Sequence, residues 1–133
     1  MSDKMIPAGN VCHTELASND TAATRKFLTD MFATEFVDVS TPELEYHSFG
    51  SMEHGVGGAV RPVVPEEPGP NATPYFLVED IDVSIAKATE AGATPMVPKT
   101  PVPTMGWFAW FIAPGGVVLA LWQNDPNAPP PSA

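Results

Sequence analysis

His13 and Glu15 stand two residues apart in the segment NVCHTELAS (10–18). Read as an extended strand, that spacing puts both side chains on one face with Ala17, roughly 7 Å apart at the Cα atoms, and turns Cys12, Thr14 and Leu16 to the other. An imidazole and a carboxylate at that reach suit an acid–base pair in which Glu15 raises the His13 pKa. They also suit part of a metal site completed by His47 or His54. The plainer alternative leaves His13 without chemistry and Glu15 half exposed at a rim. His47 lies in EYHSFGS, where alternation separates Glu45, His47 and Phe49 from Tyr46 and Ser48, and His54 falls in the polar turn SMEHG. Neither histidine has metal-ligand spacing to the other.

Five aromatic residues, Trp107, Phe108, Trp110, Phe111 and Trp122, fall on two consecutive strand-like stretches. Alternation divides Trp107, Ala109 and Phe111 from Phe108, Trp110 and Ile112 without saying which set covers a helix. Core filling is the default use of such residues. The functional alternative is a stacking wall for a flat or cationic ligand, with Glu15, Glu45 and Glu79 as an acidic rim. Arg61, at a strand end, offers its guanidinium to a ligand carboxylate or to the neighbouring Glu66. Cys12 reads as buried and inert, and GVGGAV (55–60) lacks the lysine and the strand-to-helix setting of a phosphate loop.

The elements that must position these residues come in two similar sets. After the first strand, Asp20 has the place of a helix N-cap, and Ala23, Phe27 and Met31 with Leu28 and Phe32 make an apolar stripe. Strand-like pieces follow at 36–40, 44–50 and 55–61. The second half repeats the order: a strand at 73–81, a helix capped by Asp82 with Ile85, Ala88 and Thr89 inward, and Gly92 at its end. Strands at 94–97, 106–112 and 117–122 follow, with PGG (114–116) turning the last hairpin. LTDMFATE (28–35) and ATEAGATPM (88–96) occupy matching helix-to-strand corners about 60 residues apart, so each half reads βαβββ. The fold class is α+β. Residues 1–9 and 124–133 read as tails, 10–63 and 74–123 as the two modules of a single domain, and the Pro-rich stretch 64–73 as their linker. TPVPT (100–104) reads as a loop able to act as a flap.

Composition narrows the partners. The chain has 133 residues, sixteen Asp and Glu against six Lys and Arg, and a net charge of −10. That charge disfavours nucleic acid and anionic membranes and permits a cationic ligand. Sixteen prolines argue against a helical bundle. One cysteine rules out an internal disulfide and agrees with a reducing, cytoplasmic setting. Neither an apolar leader nor an 18-residue apolar run is present in the sequence.

HTELASNDTAATRKFLTDMFATEF (13–36), YFLVEDIDVSIAKATEAGATPMVPKTPVP (75–103) and WFAWFIAPGGVVLALWQ (107–123) resemble the vicinal oxygen chelate superfamily: glyoxalase I, bleomycin-resistance proteins, fosfomycin-resistance enzymes and extradiol dioxygenases. The likeness runs through residues 10–123 and is nearest to glyoxalase-like proteins of unassigned activity. It implies two paired βαβββ modules whose sheets curl around a cleft. In the metal enzymes four His or Glu side chains, two per module, hold a divalent ion that binds two substrate oxygens as a Lewis acid. Of those four places His13 fills the first. The second falls on Gly58 or Val60, the third on Pro74 beside Thr73 and Tyr75, and the fourth on Ala120.

Two functions follow from the resemblance. The first is a protein that binds a small molecule, cationic or aromatic, in the inter-module cleft without the metal tetrad. Its ligand-binding residues would be His47, Arg61, Trp107, Phe108, Trp110 and Trp122. The alternative is an enzyme using His13 and Glu15: a metal-free acid–base catalyst, or a lyase, isomerase or dioxygenase with nickel, zinc, iron or manganese at His13. A third possibility is a pure interaction subunit. A homodimer is expected from the resemblance.

Overall fold

The computed structural model describes residues 6–50 and 56–130. His54 therefore lies outside the described residues. The chain divides into two compact units, one comprising Val11–Pro74 and the other Tyr75 onward together with Pro7–Asn10. Each has a βαβββ order.

In the first unit β1 (Val11–Ser18) runs into α1 (Thr21–Phe32), then β2 (Val37–Asp38), β3 (His47–Phe49) and β4 (Gly57–Pro62). Their lateral order is β2-β3-β4-β1, with β1 and β4 parallel and the other pairs antiparallel. Asp20 starts α1 as expected, its carboxylate accepting from the Ala23 amide at 3.0 Å. The stripe on α1 is not buried, however. Phe27, Met31 and Phe32 are 59, 58 and 66% exposed, and the helix instead meets β1 through a hydroxyl pair, Ser18 and Thr24 at 2.7 Å. The buried apolar residues of this unit are small: Cys12, Ala17, Ala59 and Val60.

Gly58 sits at the tightest point of that packing. A Cβ there would lie 2.4 Å from the Thr14 carbonyl oxygen and 2.6 Å from the Phe49 ring. The close approach of β1, β3 and β4 thus requires glycine, a backbone reason for a residue that the resemblance had placed among possible ligand positions.

The second unit contains β5 (Asn71–Leu77) from Tyr75 onward, α2 (Ile81–Glu90), β6 (Thr94–Val102), β7 (Gly106–Ile112) and β8 (Val118–Asn124). Here the lateral order is β6-β7-β8-β5, with β5 and β8 parallel. Its core is Ile81, Ala109 and Leu121, flanked by Phe76, Ile85, Trp107 and Phe111. Asp80, not Asp82, caps α2, accepting from the Val83 amide at 3.2 Å. Burial of Ile81, with no exposed surface, fixes the helix start one residue after Asp80. Asp82 then stands in the first turn and pairs with Lys99 at 2.9 Å. Thr89, expected inward, is exposed.

Three expectations about chain segments change. Residues 71–73, read as linker, belong to β5. Most of the supposed flap is strand, since β6 pairs with β7 as far as Val102 opposite Gly106. Neither end is simply a tail. The Gly9 amide donates to the Leu77 carbonyl at 2.7 Å and Leu77 returns a bond to Asn10 at 2.9 Å, while Ala128 is buried and accepts from the Thr104 amide.

Candidate functional site

The parallel register of β1 and β4 places Glu15 beside Ala59 and Ala17 beside Arg61. The antiparallel register of β3 and β4 sets Ser48 beside Ala59. Pleating then gathers His13, Glu15 and Arg61 on one face, together with Tyr46, two residues before Ser48. On this face four polar side chains join in sequence. His13 Nε2 lies 2.9 Å from the Tyr46 hydroxyl, which donates to Glu15 Oε2 at 2.5 Å. Arg61 Nε donates to Glu15 Oε1 at 2.7 Å. The other end of the guanidinium makes a two-toothed contact with Glu67, at 2.7 and 2.9 Å. Glu67 also accepts from the Val64 amide and from Asn71, whose own oxygen accepts from Thr73.

Burial governs the electrostatics of this chain of groups. Desolvation pulls the His13 pKa below its ordinary value, and the Glu15 charge offsets this only in part, so the ring is neutral at pH 7. The expected upward shift from Glu15 is therefore outweighed. Burial also pushes the Glu67 carboxyl upward, but Arg61, the Val64 amide and Asn71 together hold it at about 2. Arg61 pairs with Glu15 and Glu67 rather than with Glu66, and Glu15 is buried instead of half exposed. Cys12, on the opposite face, has its thiol pushed up to about 11 by burial.

His47 is not part of this group. It stands opposite Val60, on the face that α1 covers, and its Nε2 lies 2.8 Å from Glu45. Thr21 at the start of α1 donates to the same Glu45 oxygen. Gly58 and Val60 share that helix-covered face, so the β4 residue on the His13 face is Ala59. A groove of about 570 Å³ opens beside Val37, Ser48 and Phe49, and none of the candidate residues lines it.

In the second unit β7 and β8 sort the aromatic residues. Trp107, Ala109 and Phe111 pack toward α2 with Ile81 and Leu121. Trp107 donates to Asp125 at 2.9 Å and carries the Lys99 ammonium 4.4 Å from its ring centre. Phe108, Trp110 and Trp122 take the other face, with Tyr75 from β5. There Trp110 Nε1 donates to the Tyr75 hydroxyl at 2.8 Å, and Phe108 meets the Tyr75 ring edge-on.

Sequence reasoning missed Tyr46 and Glu67. Tyr46 shares the alternation phase of Ser48, but only the strand register brings it to His13. Glu67 lay in the Pro-rich stretch, where no periodicity marks a position.

The donor set does not fit the metal tetrad of the resemblance. His13 is an imidazole, whereas Gly58, Ala59, Val60, Pro74 and Ala120 supply no side-chain donor. Among the described residues no group of three or more His, Cys, Asp or Glu side chains is placed to hold an ion.

Backbone topology is shared with solved structures. A Mycobacterium tuberculosis methylmalonyl-CoA epimerase superposes with a TM-score of 0.67 at 15% identity, covering 92% of this chain and 94% of the other. The chain has the vicinal oxygen chelate fold. A protein of Bacillus halodurans C-125 described as hypothetical shares it, with a TM-score of 0.70 at 13% identity over 87% of this chain and 94% of that one. By sequence, a Mycobacterium bovis protein named "Putative glyoxylase CFP32" is 29% identical over 117 residues, 84% of this chain and 44% of the relative. The chain thus spans less than half the length of that relative. No family model matches it. No helix among the described residues is long and apolar enough to cross a membrane.

Proposed function

We propose that the chain binds a small aromatic molecule, neutral or cationic, without the metal tetrad of its superfamily. The observation that carries this reading is the state of the polar face around His13. Glu15 and Arg61 neutralise each other there, and Glu67 and the Pro62 carbonyl take further guanidinium bonds. Such a face offers a neutral imidazole and a phenol for orientation instead of an open cation site. Within the second unit, Phe108, Trp110, Trp122 and Tyr75 form an aromatic face of their own. With Glu15 paired and Glu45 turned toward α1, the acidic rim contributes less to ligand choice than the aromatic rings do. A cytoplasmic location and a homodimer belong to the same proposal, supported respectively by the single buried thiol and by the exposed apolar row on α1.

A second reading is a metal-free acid–base enzyme. The neutral, partly buried His13 favours it, since an unprotonated imidazole at pH 7 is a competent base. Glu15 would then act through Tyr46 and not on the substrate.

Binding and metal content are measured on protein purified without added ions. Tryptophan fluorescence and thermal shift against aromatic amines, α-keto acids and glutathione-linked metabolites are expected to find a ligand whose affinity chelators leave unchanged. His13→Ala is expected to weaken it about tenfold, near 1.4 kcal/mol. Stoichiometric nickel, zinc, iron or manganese that disappears in His13→Ala would overturn the metal-free reading.

A further inference from the structure

We propose that residues 125–128 are a strap that latches the tip of the β6–β7 hairpin in a strained conformation, poised to open when the strap lets go. The tip is Pro103, Thr104 and Met105, beyond the last β6–β7 pair, Val102 opposite Gly106. Thr104 has φ 63°. That left-handed region suits glycine and disfavours a β-branched residue, so the conformation needs an outside cause. Two hydrogen bonds supply it. The Met105 amide donates to the Val102 carbonyl at 3.0 Å, fixing the peptide plane after Thr104. The Thr104 amide donates to the Ala128 carbonyl at 3.0 Å, fixing the plane before it. A residue's φ and ψ set the rotation between those two planes. With both planes held, Thr104 cannot turn back to a negative φ, and one of the two holds comes from the strap.

The strap is shaped for this. Its Asp125 carboxylate accepts from the Trp107 indole at 2.9 Å through one oxygen and from the Asn127 amide at 2.9 Å through the other. The Asp125 amide donates to the Met105 carbonyl at 2.9 Å, and the Ala128 amide donates to the Asp125 carbonyl at 3.2 Å, which curls the segment toward the tip. Ala128 is buried, and Pro126, Pro129 and Pro130 stiffen the chain on both sides of it. Below the tip the hairpin cannot give. A Cβ on Gly106 would lie 2.1 Å from the Gln123 carbonyl oxygen, so β7 and β8 are in tight contact there. Opening is thus confined to residues 103–105. It would free the Trp107 indole N–H, the Asp125 carboxylate and the Met105 carbonyl together, while Thr104 relaxes to an ordinary negative φ.

The test is hydrogen exchange of the full chain, read by NMR at the amide of residue 104 and at the Trp107 indole N–H. Asp125→Ala removes both carboxylate bonds. The Thr104 amide is expected to exchange about tenfold faster in that variant, while the Leu121 amide in the core keeps its wild-type rate. Thr104→Gly is expected to act the other way. Glycine accepts a positive φ without penalty, so the strap stays docked longer, and the amide at position 104 gains about fivefold in protection. The Trp107 indole N–H is expected to gain with it, because both are released by the same opening. An unchanged Thr104 rate in a folded Asp125→Ala overturns the proposal. So does a Thr104→Gly chain in which either site gains nothing. Thr104 is exposed at the turn, so its glycine variant decides if Asp125→Ala does not fold. No ligand enters these measurements, so failure of the latch and failure of the binding reading are separate results.

Discussion

Arg61 is 1% exposed, and its guanidinium is tolerated there because two carboxylates and the Pro62 carbonyl take its bonds. Removing one partner leaves a buried charge uncompensated, so Arg61→Ala is expected to cost about 3–5 kcal/mol in urea unfolding. Acid acts on the same group of residues. His13 has a folded pKa below that of the unfolded chain, so the unfolded state binds its proton first and stability falls as pH drops below about 6.5. Glu67, depressed from 4.5 to about 2, contributes stability that is complete above 4.5 and lost as pH falls toward 2. Glu45 and Asp125, held low at the surface by Thr21 and Trp107, broaden that lower step. Urea midpoints measured from pH 8 to 2 should show both losses. His13→Gln is expected to remove the upper one and Glu67→Gln to shrink the lower. Of these residues His13, Glu15 and Arg61 were visible as candidates in the sequence. Their joining through Tyr46 was not, because those contacts are 31 and 33 residues apart, and Glu67, six residues from Arg61, sits in a Pro-rich stretch without periodicity.

Local chemistry wrote the elements more clearly than it wrote their surroundings. The Asp20 cap and the βαβββ order can be read directly, since caps and strand alternation are properties of neighbouring residues. Two errors came from non-local burial: Asp80 caps α2 because Ile81 must enter the core, and the apolar stripe of α1 stays in solvent because Thr24 takes the contact with β1. At the end of α1, Ala33 has φ 57°, a left-handed conformation that disfavours any residue with a Cβ. Ala33→Gly is expected to stabilise the protein by about 1 kcal/mol, a rise of roughly 4 °C in Tm by calorimetry. β6 shows the opposite strategy at an edge. Pro95, Pro98 and Pro101 leave β6 short of backbone donors and Lys99 adds charge, which discourages another strand from pairing there.

Across the molecule, the internal repeat was the most legible feature, because both copies use the same lateral strand order. The net charge of −10 gives no comparable guide, since its members serve as helix caps, buried partners and surface groups. The exposed Phe27, Met31 and Phe32 carry the whole-molecule prediction: light scattering is expected to find a dimer, and Phe27→Asp to yield a folded monomer with an unchanged circular-dichroism spectrum. Residues 7–10 have a consequence for synthesis as well as for packing. Their hydrogen-bond partner, Leu77, leaves the ribosome about 70 residues later, several seconds at ~5–20 residues per second. Residues 7–10 must therefore wait through the translation of the first unit before they can dock, so their closure follows the synthesis of that unit.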